Sequence, residues 1–116
     1  DFQILFYPVI SMMPGFGHQG SLDNFLGKDS KKKEQKDYSN DMQVTRSTPR
    51  AFIALSDDDH AVPPANGANY YLELYRHDVP ASLHVYPSGG HGWGSRNSFM
   101  YHNEMELELR AWLRSF

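Results

Sequence analysis

Two stretches of this chain are apolar at successive positions rather than at alternate ones: Ile4 to Ile10 and Ala51 to Leu55. Side chains along a strand point to opposite faces in turn, so a strand reads this way when both of its faces are covered. A parallel sheet with helices above and below meets that condition. A third run, Ser82–Tyr86, alternates Leu83 and Val85 with Ser82, His84 and Tyr86. One of its sides is wetter, which places it nearer the sheet edge.

Helical patterns lie between and after these runs. Asn66–Arg76 carries Ala68, Tyr71, Leu72 and Tyr75 at helical spacing. Pro63 and Pro64 suit the first turn of that helix, and Val79-Pro80 closes the connection after it. A last helix is expected from about Ser98 to near Phe116, burying Met105, Leu109, Trp112, Leu113 and Phe116. The stretch from Gly15 to Thr48 is less regular. Leu22, Phe25 and Leu26 suggest a short helix ended by Gly27, and a polar helix follows across the lysines. The order strand, helical excursion, strand, helix, strand, helix defines an α/β class, with about three mostly parallel strands. At 116 residues the chain holds one domain, residues 1–116.

Composition removes several functional classes. Net charge is −3, and the only basic cluster, Lys31-Lys32-Lys33 with Lys36, is interleaved with Asp29, Glu34, Asp37 and Asp41. It reads as a solvated helix face, so no nucleic-acid partner is expected. No apolar run approaches the roughly 18–20 residues of a membrane span, so no membrane partner is expected. The opening apolar segment lacks a signal peptide's basic flank and small-residue cleavage site, and the chain shows no targeting segment. With no cysteine, disulfides, thiolate metal sites and a Cys nucleophile are excluded. Asp57-Asp58-Asp59-His60 lacks the alternate-acid spacing of a calcium loop, and no His-Glu-x-x-His occurs, so no metal or other cofactor is expected.

Two loops carry the chemistry-bearing residues. Ser56-Asp57-Asp58-Asp59-His60-Ala61-Val62-Pro63 follows the second strand, and Pro87-Ser88-Gly89-Gly90-His91-Gly92-Trp93-Gly94 follows the third. In parallel α/β sheets, loops at the carboxyl ends of strands hold ligand and catalytic groups. Two such loops lie at the same end of the sheet, so an acid and a histidine 32 positions apart can meet. A carboxylate accepting from the imidazole Nδ1–H leaves Nε2 free as a base. Each residue also has a plainer role. His91 can be a surface histidine in a glycine-rich turn, and Asp59 can cap the helix ahead of Pro63 and Pro64. His18 near Ser21 reads as a loop or capping residue, and Trp93 as a pocket or core aromatic. A phosphate-binding module would need a different glycine loop and an acidic ribose partner about 20 residues on.

Asp59-His60-Ala61-Val62-Pro63 and Gly90-His91-Gly92, in this order and separation, resemble the acid and histidine motifs of α/β-hydrolase esterases. The chain is most similar to the acetylxylan-esterase-like group, related to the dienelactone-hydrolase and prolyl-oligopeptidase type. Tyr7-Pro8-Val9-Ile10-Ser11-Met12, His18-Gln19-Gly20-Ser21, Gln43-Val44-Thr45 with Thr48-Pro49, and Tyr86–Gly94 extend the likeness over nearly the whole chain. The resemblance implies that Asp59 is the triad acid, with Asp57 and Asp58 ranked behind it, and that His91 is the triad histidine. It implies a serine hydrolase of acetylated carbohydrate or other small esters, and it is compatible with a secreted or periplasmic setting.

The nucleophile is the exception. It should stand before the acid on a Gly-x-Ser-x-Gly elbow. No serine here has glycine at both −2 and +2. The chain also enters an apolar strand directly after Asp1. The expectation is therefore the C-terminal half of a hydrolase, holding the base and its orienting acid but no nucleophile, with very weak or absent activity alone. The alternative is a non-catalytic remnant acting as a packing or oligomerisation module. Either way, an exposed first strand is expected to draw the chain into a homo-oligomer.

Overall fold

The computed structural model describes residues 1–13 and 17–116. Strand β1 is Phe2–Phe6, followed by helices α1 (Gln19–Phe25) and α2 (Lys32–Asp37) and a 3-10 turn at Asn40–Met42. Strand β2 (Arg50–Ser56), helix α3 (Ala65–Arg76), strand β3 (Ala81–Tyr86) and helix α4 (His102–Leu113) complete the chain. The three strands form one sheet in the order β1-β2-β3, and both pairings are parallel. The expected α/β class and strand number are met.

Strand β2 is the centre of the molecule, and the continuity of its apolar run follows from that place. Ala51, Ile53 and Leu55 point to one side, where they pack with Tyr70 and Leu74 of α3 and with Ile10, Val44 and Val79. Phe52 and Ala54 point to the other, against Tyr86, Trp93, Phe99 and Met105 of α4. Residues 51–54 of β2 have no exposed surface. Burying a side chain such as Phe52 or Ile53 contributes about 1.5–3 kcal/mol.

The first strand differs from the expected Ile4–Ile10. It starts at Phe2 and ends at Phe6, because Tyr7 adopts φ +37° and Pro8 has no N–H to continue the ladder. Val9 and Ile10 leave the sheet. The Ile10 and Ser11 amides instead donate to Asn66 Oδ1 at the start of α3, each at 3.1 Å.

Helix α3 turns inward a face that only partly matches the expected stripe: of that stripe Tyr71 packs against the core. Gly67, Tyr70 and Leu74 are buried, whereas Leu72 and Tyr75 are exposed, Tyr75 by 71%. Gly67 sets this register. A Cβ there would lie 2.2 Å from Leu55 Cδ2, so the helix backbone rests directly on β2. In α4, Met105 is buried, but Leu113 and Phe116 are exposed. The helix begins at His102, four residues later than Ser98, since turns occupy the approach: Phe99 N donates to Arg96 O and His102 N to Phe99 O.

Strand β3 is an edge strand, as its alternation suggested. Its polar side is nevertheless the one turned towards α4. His84 stacks on Phe52 at 4.7 Å and its Nδ1 lies 2.8 Å from Glu108 Oε2, which also accepts from the Tyr86 hydroxyl. Burial first, then the hydrogen bond and charge of Glu108, raise the Tyr86 phenol well above its ordinary pKa.

Candidate active site

The β2–β3 register places the two loops side by side. Ser56 pairs with Tyr86 at the carboxyl end of both strands, and the chain leaves each strand there. Asp57 N donates to Tyr86 O at 2.8 Å, which extends the parallel pairing one residue into the acid loop.

Asp59 and His91 meet. His91 Nδ1 lies 2.8 Å from Asp59 Oδ2. A carboxylate only accepts, so Nδ1 carries a proton, and in the neutral ring Nε2 then has a free lone pair. Asp59 uses its other oxygen as well: Oδ1 accepts from Ala61 N and Val62 N, both at 2.9 Å. Its side chain is 1% exposed, while that of His91 is 37% exposed. The acid is therefore fixed inside the loop and the imidazole reaches outward from it. The helix-cap role for Asp59 does not hold, since α3 starts at Ala65 with Pro64 at its cap and Asp59 closes the preceding turn.

Asp58 does something the sequence did not reveal. Its Oδ1 accepts from Gly90 N at 2.8 Å and its Oδ2 from Gly89 N at 3.4 Å. Consecutive carboxylates thus hold the histidine loop twice, one by the ring and one by the backbone. Asp57 is exposed, and the described contacts do not join it to His91. His18 caps α1, with Nδ1 accepting from Ser21 N at 3.1 Å and lying 2.8 Å from Ser21 Oγ.

The glycines answer to geometry. Gly89 has φ +137°, and a Cβ there would lie 2.5 Å from the Phe99 ring and 2.9 Å from Ser56 Oγ. Gly90 at φ +61° and Gly92 at φ +88° turn the chain on either side of His91, in a region L side chains rarely adopt. Trp93 anchors the loop. Its indole N–H donates to Ser56 Oγ at 2.8 Å and its ring stacks on Phe99 at 3.9 Å. Tyr7 reaches the site from the end of β1, its ring 4.4 Å from that of His91. Its strained backbone, rather than any sequence pattern, carries it there. Beside these residues a cleft of about 360 Å³ is lined by His91, Trp93, Arg96, Ser98, Phe99 and Met100, among others. Among the described residues, no group of three or more His, Asp or Glu side chains could hold a metal ion.

A parallel sheet covered by helices on both faces, with an acid after one strand and a histidine after the next, defines part of an α/β-hydrolase. Its family follows from residues 13–114, which match the prolyl oligopeptidase family; the chain belongs to that family. Its relatives include an acetylxylan esterase of Xylanibacter ruminicola, 41% identical over 99% of this chain and 25% of that protein. Endo-1,4-beta-xylanase B of Butyrivibrio fibrisolvens is 33% identical over 96% of this chain and 18% of that protein. Among solved structures, the acetyl ester-xyloside bifunctional hydrolase from Caldicellulosiruptor lactoaceticus superposes with a TM-score of 0.91 at 33% identity, covering 97% of this chain and 41% of that one. The chain therefore spans about a quarter of the length of the first of these relatives.

Proposed function

We propose that this chain supplies the acid and the base of a serine ester hydrolase acting on acetylated carbohydrate. The carrying observation is the 2.8 Å bond between His91 Nδ1 and the buried carboxylate of Asp59. Nε2 is then the atom that works. It takes the proton of a serine hydroxyl as that oxygen attacks the acetyl carbonyl, and the ester carbonyl becomes a tetrahedral oxyanion. It returns the proton to the sugar oxygen as the ester C–O bond breaks, leaving an acetyl-serine that water hydrolyses by the same steps. Asp59 fixes the tautomer and stabilises the imidazolium formed between those transfers.

The serine and the oxyanion donors belong, on this proposal, to a preceding segment of the same domain, since no serine in residues 1–116 stands in a Gly-x-Ser-x-Gly context. The acetyl-carbohydrate substrate is suggested by the relatives named above. The test is a chimera in which residues 1–116 replace the matching quarter of the Xylanibacter ruminicola enzyme. It should release acetate from acetylated xylo-oligosaccharide, and His91→Ala in it should lower kcat by about 10³-fold or more. A folded, active chimera indifferent to His91→Ala would overturn the assignment. The isolated chain should show very weak turnover or none.

A second reading rests on β1. Among the described residues, β1 is paired only with β2, which leaves its other edge open, and Phe2 on it is half exposed. Such an edge is a template for another strand. On this reading the chain serves as a packing module, associating with a second copy through β1.

A further inference from the structure

The cleft beside His91 has an uneven charge. Of the residues lining it, none is acidic, and Arg96 is the one permanent cation. Serine hydroxyls at 88 and 98 and the apolar surfaces of Trp93, Phe99 and Met100 make up most of the remainder. Of the five other arginines four are engaged: Arg46 pairs with Asp78, Arg76 with Glu73 and Arg110 with Glu106, and Arg50 lies over the Phe116 ring; Arg114, exposed just after α4, is not among them. No such partner is found for the Arg96 guanidinium among the described residues.

The backbone of Arg96 is nonetheless held firmly. Its N–H donates to Trp93 O at 3.0 Å, and its carbonyl accepts from Phe99 N at 3.1 Å. Trp93 and Phe99 are themselves stacked with an interplanar angle of 5°. The short loop between them is thus closed at its base by two rings, with Arg96 carried on it. A guanidinium's fork of N–H donors matches a carboxylate in two parallel hydrogen bonds, and a rigid mount lowers the entropy lost on forming them.

We propose that Arg96 forms a subsite for a carboxylate on the alcohol portion of the substrate, as in a sugar ester that bears or adjoins a uronic acid. This rests on the hydrolase role given above for His91. The histidine returns its proton to the departing alcohol, so the cleft that His91 lines receives the alcohol side of the ester. The acetyl group carries no charge for Arg96 to read. At about 360 Å³ the cleft falls at the lower end of the roughly 300–1,000 Å³ common for ligand pockets, suited to a single sugar ring.

The test is a set of nuclear magnetic resonance titrations of the 116-residue chain at fixed ionic strength. The probes are glucuronate, glucose as the neutral match, and acetate as the simple anion. Glucuronate should shift the Arg96 side-chain N–H and the Gly89 and Gly92 amides, binding about tenfold more tightly than glucose. Arg96→Gln should erase that difference, and Arg96→Lys should keep part of it. Equal binding of glucose and glucuronate overturns the subsite. So does a preference that survives Arg96→Gln, or acetate matching glucuronate in affinity. The hydrolase role is read separately, in the chimera described above. If that folded, active chimera is indifferent to His91→Ala while the glucuronate preference of the chain stands, the hydrolase reading fails and the anion site does not.

Discussion

Asp59 serves two loops with two oxygens, and replacing it in two ways separates those duties. Asparagine keeps an oxygen for Ala61 N and Val62 N, which sit at 2.9 Å, and places an amide N–H₂ against His91. The charge-assisted bond to the imidazole becomes a neutral one, a loss of about 1 kcal/mol. The amide donates, so His91 Nδ1 must become the acceptor and the ring proton moves to Nε2. Alanine removes everything. It strands the buried Val62 N–H at about 1–3 kcal/mol, with a smaller cost at the exposed Ala61, on top of the lost imidazole bond. Asp59→Ala should therefore be less stable than Asp59→Asn by about 2 kcal/mol in urea unfolding at pH 7. Imidazole nitrogen shifts should report the proton on Nδ1 in the parent and on Nε2 in Asp59→Asn. Equal stability of the two variants would refute the dual role of the carboxylate. An unchanged tautomer in Asp59→Asn would refute the claim that this bond sets the tautomer of His91.

Three further outcomes follow from the fold. Gly89→Ala should destabilise by about 2–4 kcal/mol through strain and overlap with Phe99, whereas Gly27→Ala, also at positive φ but with nothing within 4 Å, should lose only about 1 kcal/mol; matching unfolding midpoints would contradict the close approach at Gly89. Asp41 has a raised pKa, chiefly from burial, and its Oδ1 is buried without a hydrogen-bond partner. A raised folded pKa makes Asp41's contribution most favourable below the ordinary carboxylate range and loses it as pH climbs through the folded value. Asp41→Asn should thus gain more over the parent at pH 7 than near pH 4, and a pH-independent difference would sink this. Finally, sedimentation should detect a dimer or larger species as concentration rises, covering the β1 edge; a monomer at every concentration counts against that association.

The sheet was largely legible in the sequence because β2 is covered on both sides, and a doubly covered strand cannot hide its composition. Helix α3 was visible as a helix, but its orientation was not. Its contact with the sheet is made by Tyr70 and Leu74 around Gly67, and Asn66 ties it to the segment after β1; Gly67 and Asn66 are residues that no hydrophobic pattern scores, while Leu72 and Tyr75 imitate a buried stripe. The same holds at the end of α4, where Phe116 contacts Phe2 and Trp112 yet stays half exposed. At the site, the two loops could be brought together because each follows a strand, and the resemblance to the esterases singled out Asp59 and His91 within them. Asp58 and Tyr7 could not be assigned their contacts. One acts by accepting from backbone amides, which leave no trace in residue identity, and the other arrives through an unusual φ.

The register between β2 and β3 has a consequence for tolerance to change. Ala51 opposes Ala81 and Ser56 opposes Tyr86, so the acid and histidine loops spring from neighbouring strand ends. A slip of one residue would move one loop by about 3.3 Å along the other and turn its strand's side chains to the opposite face. The 2.8 Å contact of His91 and both backbone contacts of Asp58 would be lost together. Substitutions deep in the sheet can therefore act as alignment errors between Asp59 and His91: the buried packing of Ile53 and Leu55 serves as the gauge that sets the position of a proton.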